Sequence, residues 1–202
     1  NGYAEMSLYS ITSSWKNALL FIPKKLTIVA LPVMSNYINS DKGNIGYDKM
    51  FDFTQMIAIA ITLPATFILM FFGEYILSLY GDEYRDGYIV FSGMILVAGI
   101  SGLGSGYGPA IQAKGKMWFG LAANVIWSIT FISFVYTTIE SYGAISLAYS
   151  LALAGVINLL ITAYYLRGDL TINSNIRTTK YLIVLVSMTG AFLFLNTWNA
   201  FI

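Results

Sequence analysis

The sequence predicts an all-α, polytopic integral membrane helix bundle of about six transmembrane helices. Three observations carry that expectation. The 202 residues are 57% hydrophobic and only 10% charged, whereas soluble domains carry about 25% charged residues. The charges gather in short clusters, and the mean hydropathy is +0.68. Between the clusters lie uncharged runs at 53–73, 87–113, 117–139, 141–166 and 181–202, each close to the roughly 20 residues that a helix needs to cross a bilayer core. Transmembrane β-strands are excluded, because they are about ten residues long and alternate apolar with polar positions.

Taken in order, the first helix is expected over 4–38, an apolar segment interrupted by Lys16, Lys24 and Lys25 and carrying Pro23 and Pro32. Breaks in such a helix are tolerated only where neighbouring helices or water satisfy the freed backbone groups. The other helices are expected over 51–80, 87–113, 117–139, 142–166 and 180–202. Short loops join them, marked by Gly81-Asp82, Asp86-Gly87, Gly115 and Gly168-Asp169, residue types that relieve φ constraints and cap helices. Trp15, Tyr80, Tyr84, Trp118, Tyr142 and Tyr165 fall near helix ends, where interfacial aromatic rings belong. Loops one, three and five hold Lys42, Lys49, Lys114, Lys116, Arg167, Arg177 and Lys180, while the alternate loops hold only Arg85. Retention of cations on the cytoplasmic side then places loops one, three and five inside and both chain ends outside. The chain starts at Asn1 with no signal-peptide pattern, and we expect a segment of a longer protein.

Absences limit the chemistry. With no His and no Cys, an imidazole base, a thiolate nucleophile, zinc-finger and iron–sulfur sites and disulfides are all excluded. A formal charge of +1 offers no bulk attraction to nucleic acid. Acids are scarce: Asp52 opens a helix and Glu74 lies near the outer end of the same helix, so neither marks an ion site at the midplane. No enzyme activity, cofactor or metal is expected.

The candidate binding residues are Lys16, Lys24, Lys25, Asn124 and Asn158. An ammonium inside a membrane helix is costly and tends to face a water-filled cavity or a partner. On an unbroken helix Tyr9, Ser13, Lys16, Leu20 and Lys24 share one stripe and Lys25 points away. That stripe forms the cationic wall of a cavity, suited to phosphate oxygens, or else the lysines snorkel to an interface across a kink at Pro23. Asn124 and Asn158 lie deep in their helices and are candidates for sugar contact, whereas Gln55, Ser128, Thr162, Thr189 and Asn196 read as interhelical hydrogen-bonding groups. Gly99 to Pro109 holds Gly102/Gly106 and Gly104/Gly108 pairs. Close helix packing is the preferred account of them, with a locally unwound hinge as the other. No strand precedes this stretch, so a nucleotide-binding loop is not expected.

In order along the chain stand Gly2-Tyr3, then Leu31-Pro-Val-Met-Ser35, then Glu74-Tyr-Ile-Leu-Ser-Leu-Tyr-Gly81 with Glu83-Tyr84, then Ala113-Lys-Gly-Lys116, Asn124 and Tyr142-Gly-Ala144 with Ala148. This succession resembles the C-terminal half of a bacterial polysaccharide or O-antigen flippase, in the superfamily that includes multidrug and toxic compound extrusion carriers. The resemblance implies the second lobe of a two-lobe transporter of the bacterial inner membrane. It implies a cargo of undecaprenyl-diphosphate-linked oligosaccharide, moved by alternating access for O-antigen, capsule or exopolysaccharide assembly. It also implies cationic cavity residues, here Lys16 and Lys24, and as partners the membrane lipids and an N-terminal lobe of the same protein. A multidrug or organic-cation exporter of the same fold would call for an acidic cavity. A membrane-embedded polysaccharide polymerase would call for sizeable extramembrane loops, and the loops here are short.

Overall fold

The computed structural model describes residues 2–40 and 43–168, together with positions 180, 183 and 187. Its elements are α1 (Gly2–Leu19), α2 (Phe21–Ile38), α3 (Gly43–Phe71), α4 (Gly73–Ser78), a 3-10 turn over Asp82–Gly87, α5 (Tyr88–Leu103), α6 (Tyr107–Ala113), α7 (Met117–Tyr142) and α8 (Ala144–Leu166). Among the described residues four helical spans are long and apolar enough to cross a membrane, and five if α1 and α2 count as one. The chain is an all-α membrane bundle. The expected helix over 180–202 and most of the fifth loop lie outside the described residues.

The first expected helix is two. Leu20 separates α1 from α2, and their axes differ by 47°. Pro23 explains where the break falls. A proline has no N–H for the carbonyl four residues earlier and its ring crowds that carbonyl, which here belongs to Leu19. The chain resumes with the Leu20 N–H donating to the Lys16 carbonyl and the Lys24 N–H donating to the Leu20 carbonyl, at 3.1 and 3.0 Å. Pro23 itself falls in the first turn of α2, where its missing donor leaves nothing unmatched.

The expected 87–113 helix is also interrupted, with a turn over Gly104, Ser105 and Gly106. Pro109 removes the donor that the Ser105 carbonyl would otherwise receive, and the Thr27 hydroxyl donates to that carbonyl at 3.3 Å while also reaching the Pro23 carbonyl at 3.0 Å. In the tightened turn the Tyr107 N–H goes to Gly104, and the Leu103 carbonyl instead accepts from Gln55 Nε2 at 3.0 Å. The Tyr47 hydroxyl donates to the Ala110 carbonyl at 3.2 Å. Side chains of α2 and α3 thus match carbonyls in and around the break, as burial in a membrane requires.

Other boundaries shift from expectation. The third helix begins at Gly43 rather than at 51, so Asp48 and Lys49 lie on its first turns instead of in a loop, and Asp52 sits a few turns inside it rather than at its start. The expected 51–80 helix breaks at Phe72, where the Tyr88 hydroxyl takes the Met70 carbonyl at 2.9 Å and a Cβ on Gly73 would meet the Tyr88 ring at 2.7 Å. The helix pair α7 and α8 is joined by Gly143 alone, at φ +53° and ψ −132°, a backbone state that only glycine adopts cheaply.

The span of α5 and α6 is the centre of the bundle, with 67% of its most apolar window buried, against 6% for α7. One core surrounds the break with Met34, Tyr47, Phe51, Ile100, Leu103, Tyr107 and Leu159, including an edge-on Phe51–Tyr107 pair with ring centroids 5.1 Å apart. A second core, Met70, Leu77, Tyr88, Phe91 and Ile95, holds the other end. There Trp15 Nε1 donates to the Tyr80 hydroxyl, Ser7 pairs with Tyr84, and Gly143 lies against Glu5. At the opposite end Lys114 sits over the Tyr47 ring, Lys116 over Tyr165 and Arg167 over Tyr164. The cation-bearing connections therefore share one end of the bundle, as the charge pattern expects.

Candidate functional site

The five candidate residues fall into two places. Lys16 and Lys24 flank the α1–α2 break. The inner face of α1, with Leu8, Ile11, Trp15 and Leu19, packs on the second core, while Ser10, Ser14 and Asn17 are exposed and Lys16 is half-buried. Across the break Lys24 Nζ donates to Asn17 Oδ1 at 3.3 Å, and Lys24 lies within electrostatic reach of Lys16. The expected stripe does not run through as a single face. The 47° bend buries Leu20, 7% exposed, between the two lysines while leaving Lys24 exposed. What results is a polar edge with two ammonium groups and one amide. Polar side chains exposed at membrane depth call for water or for a further protein surface. Lys25 stands apart from that edge, 5.5 Å from the centroid of the Phe21 ring and among the exposed apolar residues Phe21, Ile22, Ile28 and Val29.

Asn124 and Asn158 line a different feature, a cavity of about 750 Å³ between α5–α6, α7 and α8. Asn158 is tied into the bundle, its Nδ2 donating to the Ala123 carbonyl at 3.1 Å and its Oδ1 accepting from Thr162 at 3.4 Å. Asn124 is exposed to the cavity. The indole of Trp127, the amide of Gln112 and the side chains of Ser101, Tyr107 and Thr162 also line it. Gly104 and Gly108 face this cavity, and a Cβ on Gly108 would meet nothing within 4 Å. Gly102 and Gly106 face the other way, where a Cβ would overlap the Thr62 side chain or touch the Phe51 ring at 3.0 Å. The glycine stretch therefore does both things that its composition allowed: one pair packs closely against α3, and the other opens a cavity at an unwound turn.

Sequence reasoning passed over Asn17, Thr27, Gln112 and Trp127. The proline rule could have found half of Thr27's task, since Pro109 points to the freed carbonyl of Ser105 four residues back. Nothing in the sequence links Gln112 and Trp127 to Asn158, because only the fold brings α6, α7 and α8 around one space. Among the described residues no group of three or more acidic residues is placed to hold a metal ion.

The chain is similar to polysaccharide-export proteins. It is 23% identical over 172 residues to the EPS I polysaccharide export inner membrane protein EpsE of Ralstonia solanacearum, and to the protein of the same name of Ralstonia nicotianae, also at 23%. Each match covers 84% of this chain and 39% of the relative, so the chain spans about two-fifths of the relatives' length. No family model matches it, and no solved structure matches it significantly.

Proposed function

We propose that this chain is the C-terminal lobe of a bacterial inner-membrane flippase that moves undecaprenyl-diphosphate-linked oligosaccharide units across the membrane by alternating access. The observation that carries the reading is the likeness to polysaccharide-export inner membrane proteins over most of this chain and a minor part of theirs. The polar edge at the α1–α2 break supports it. Lys16 and Lys24, with Asn17 holding the second lysine, present cations to an anionic lipid headgroup through charge-assisted hydrogen bonds, and an N-terminal lobe packed against this edge would enclose a wet path. The prenyl tail stays in the bilayer beside the exposed apolar faces, and no bond is made or broken.

Deleting the gene of the full-length protein in its host is the test. Lipid-linked repeat units are expected to accumulate on the cytoplasmic side and surface polysaccharide to fall, both restored by the intact gene. Hypersensitivity to organic cations with normal polysaccharide would instead identify a drug exporter of the same fold. Sidedness has its own check. Alkaline phosphatase fused after Glu140 is expected to be active and fused after Lys114 inactive, because the cations of the third loop hold it in the cytoplasm; the opposite pattern would invert the topology.

A further inference from the structure

We infer that the cavity between α5–α6, α7 and α8 is a binding site for an uncharged sugar unit, separate from the lysine edge and specific for the glycan of the cargo. The inference rests on the flippase reading above. Its volume of about 750 Å³ lies within the range of small-molecule sites. Among the described residues no carboxylate, ammonium or guanidinium lines it, so an anionic headgroup finds no partner here. The wall offers instead the side-chain amides of Gln112, Asn124 and Asn158, the hydroxyl of Thr162 and the indole of Trp127. An amide both donates and accepts, which matches a sugar hydroxyl, and an aromatic face accommodates the apolar C–H face of a pyranose.

The amides are not equally free. Asn158 is engaged by Ala123 and Thr162, and so has a supporting part in the bundle. The Asn124 and Gln112 side chains line the cavity with no hydrogen-bond partner among the described residues. Asn124 lies about two turns inside α7, where a polar group without a partner is costly, and a hydroxylated guest satisfies it where an acyl chain would not. Gly108 gives the guest room, since a side chain there would project into open space.

The test uses the full-length protein in nanodiscs and two probes, undecaprenyl diphosphate alone and the host's own glycan-bearing lipid. Wild-type protein is expected to bind the glycan-bearing lipid roughly tenfold more tightly than the bare one, the scale of one or two well-made hydrogen bonds. Asn124→Ala and Gly108→Leu should each remove most of that preference while leaving affinity for bare undecaprenyl diphosphate unchanged. Gly108→Leu plugs the cavity and Asn124→Ala enlarges it, so a common outcome excludes a mere change in packing, and Asn124→Ala carries the test alone if the leucine variant does not accumulate. Equal binding of the two lipids by wild type, or a preference indifferent to both substitutions, overturns the inference. So does quenching of Trp127 by brominated acyl chains, with Trp15, Trp118 and Trp198 changed to Phe, since the cavity would then hold lipid tails. Failure of the flippase reading looks different: wild-type protein would bind neither lipid.

Discussion

Replacing Lys16 and Lys24 together by alanine in the full-length protein is expected to lower surface polysaccharide at least about tenfold, with the amount of protein in the membrane unchanged. The reason is the kind of bond lost. Hydrogen bonds from charged donors contribute more than neutral ones, about 1.5–3 kcal/mol each, and 1.4 kcal/mol is already tenfold in binding. The two sites should not count equally. Lys16 is half-buried and Lys24 exposed, and exposed charges are screened, so Lys16→Ala alone should do more than Lys24→Ala alone. Lys→Arg at either position keeps the cation and should retain much of the activity, although a planar fork cannot reproduce every contact of an ammonium. Asn17→Ala should resemble a mild Lys24→Ala, because its amide oxygen holds that ammonium at 3.3 Å. Immunoblotting of surface polysaccharide, with undecaprenyl diphosphate binding by the purified protein, measures all of these. Normal export in the double alanine variant would remove the diphosphate role from this edge.

Much of the architecture was legible because lipid imposes a simple rule. A helix crossing the bilayer must be apolar over about twenty residues, and charge can gather only between such stretches; the four spans and their connections therefore stand out in Phe53–Gly73 and the runs that follow. Interruptions inside the spans were harder to place. Pro23 and Pro109 announce that a carbonyl is freed, but whether the helix bends or breaks depends on whether another helix supplies a donor. Thr27 and Gln55 do so from α2 and α3, and that pairing exists only in the folded bundle. The onset of α3 at Gly43 was missed for a related reason: Lys42, Asp48 and Lys49 read as a loop by charge, yet a helix extends freely into water beyond the membrane once its apolar part is anchored. Of the candidate site, the lysines were visible as cations out of place. Their separation from Asn124 and Asn158 was not, because a helix number says nothing about which neighbours enclose a space.

Gly102→Leu is expected to abolish most accumulation of folded protein, and even Gly102→Ala should lower the stability of the purified protein by about 1–3 kcal/mol, the usual cost of overpacking. In a helix Gly→Ala ordinarily stabilises by about 0.4–1 kcal/mol, since it restricts the unfolded chain. Here the sign reverses, because the added Cβ would enter the space of Thr62. That residue is 1% exposed, is held by its hydroxyl donating to the Ala58 carbonyl at 2.8 Å, and is stiff at χ1 because it is β-branched, so it cannot turn aside. The α3–α5 contact that would be forced apart is the same one that delivers Gln55 to the Leu103 carbonyl; separating the helices leaves that carbonyl without its donor as well. Gly108→Ala is the internal control, since its Cβ meets nothing within 4 Å and the ordinary gain should return. Thermal unfolding of the two alanine variants, measured side by side in one detergent, should move in opposite directions. Adding Thr62→Ala to Gly102→Ala should recover part of the loss, because two residues that compete for one space do not contribute additively. A Gly102→Ala variant as stable as Gly108→Ala would mean that α3 and α5 do not approach as closely as this packing requires.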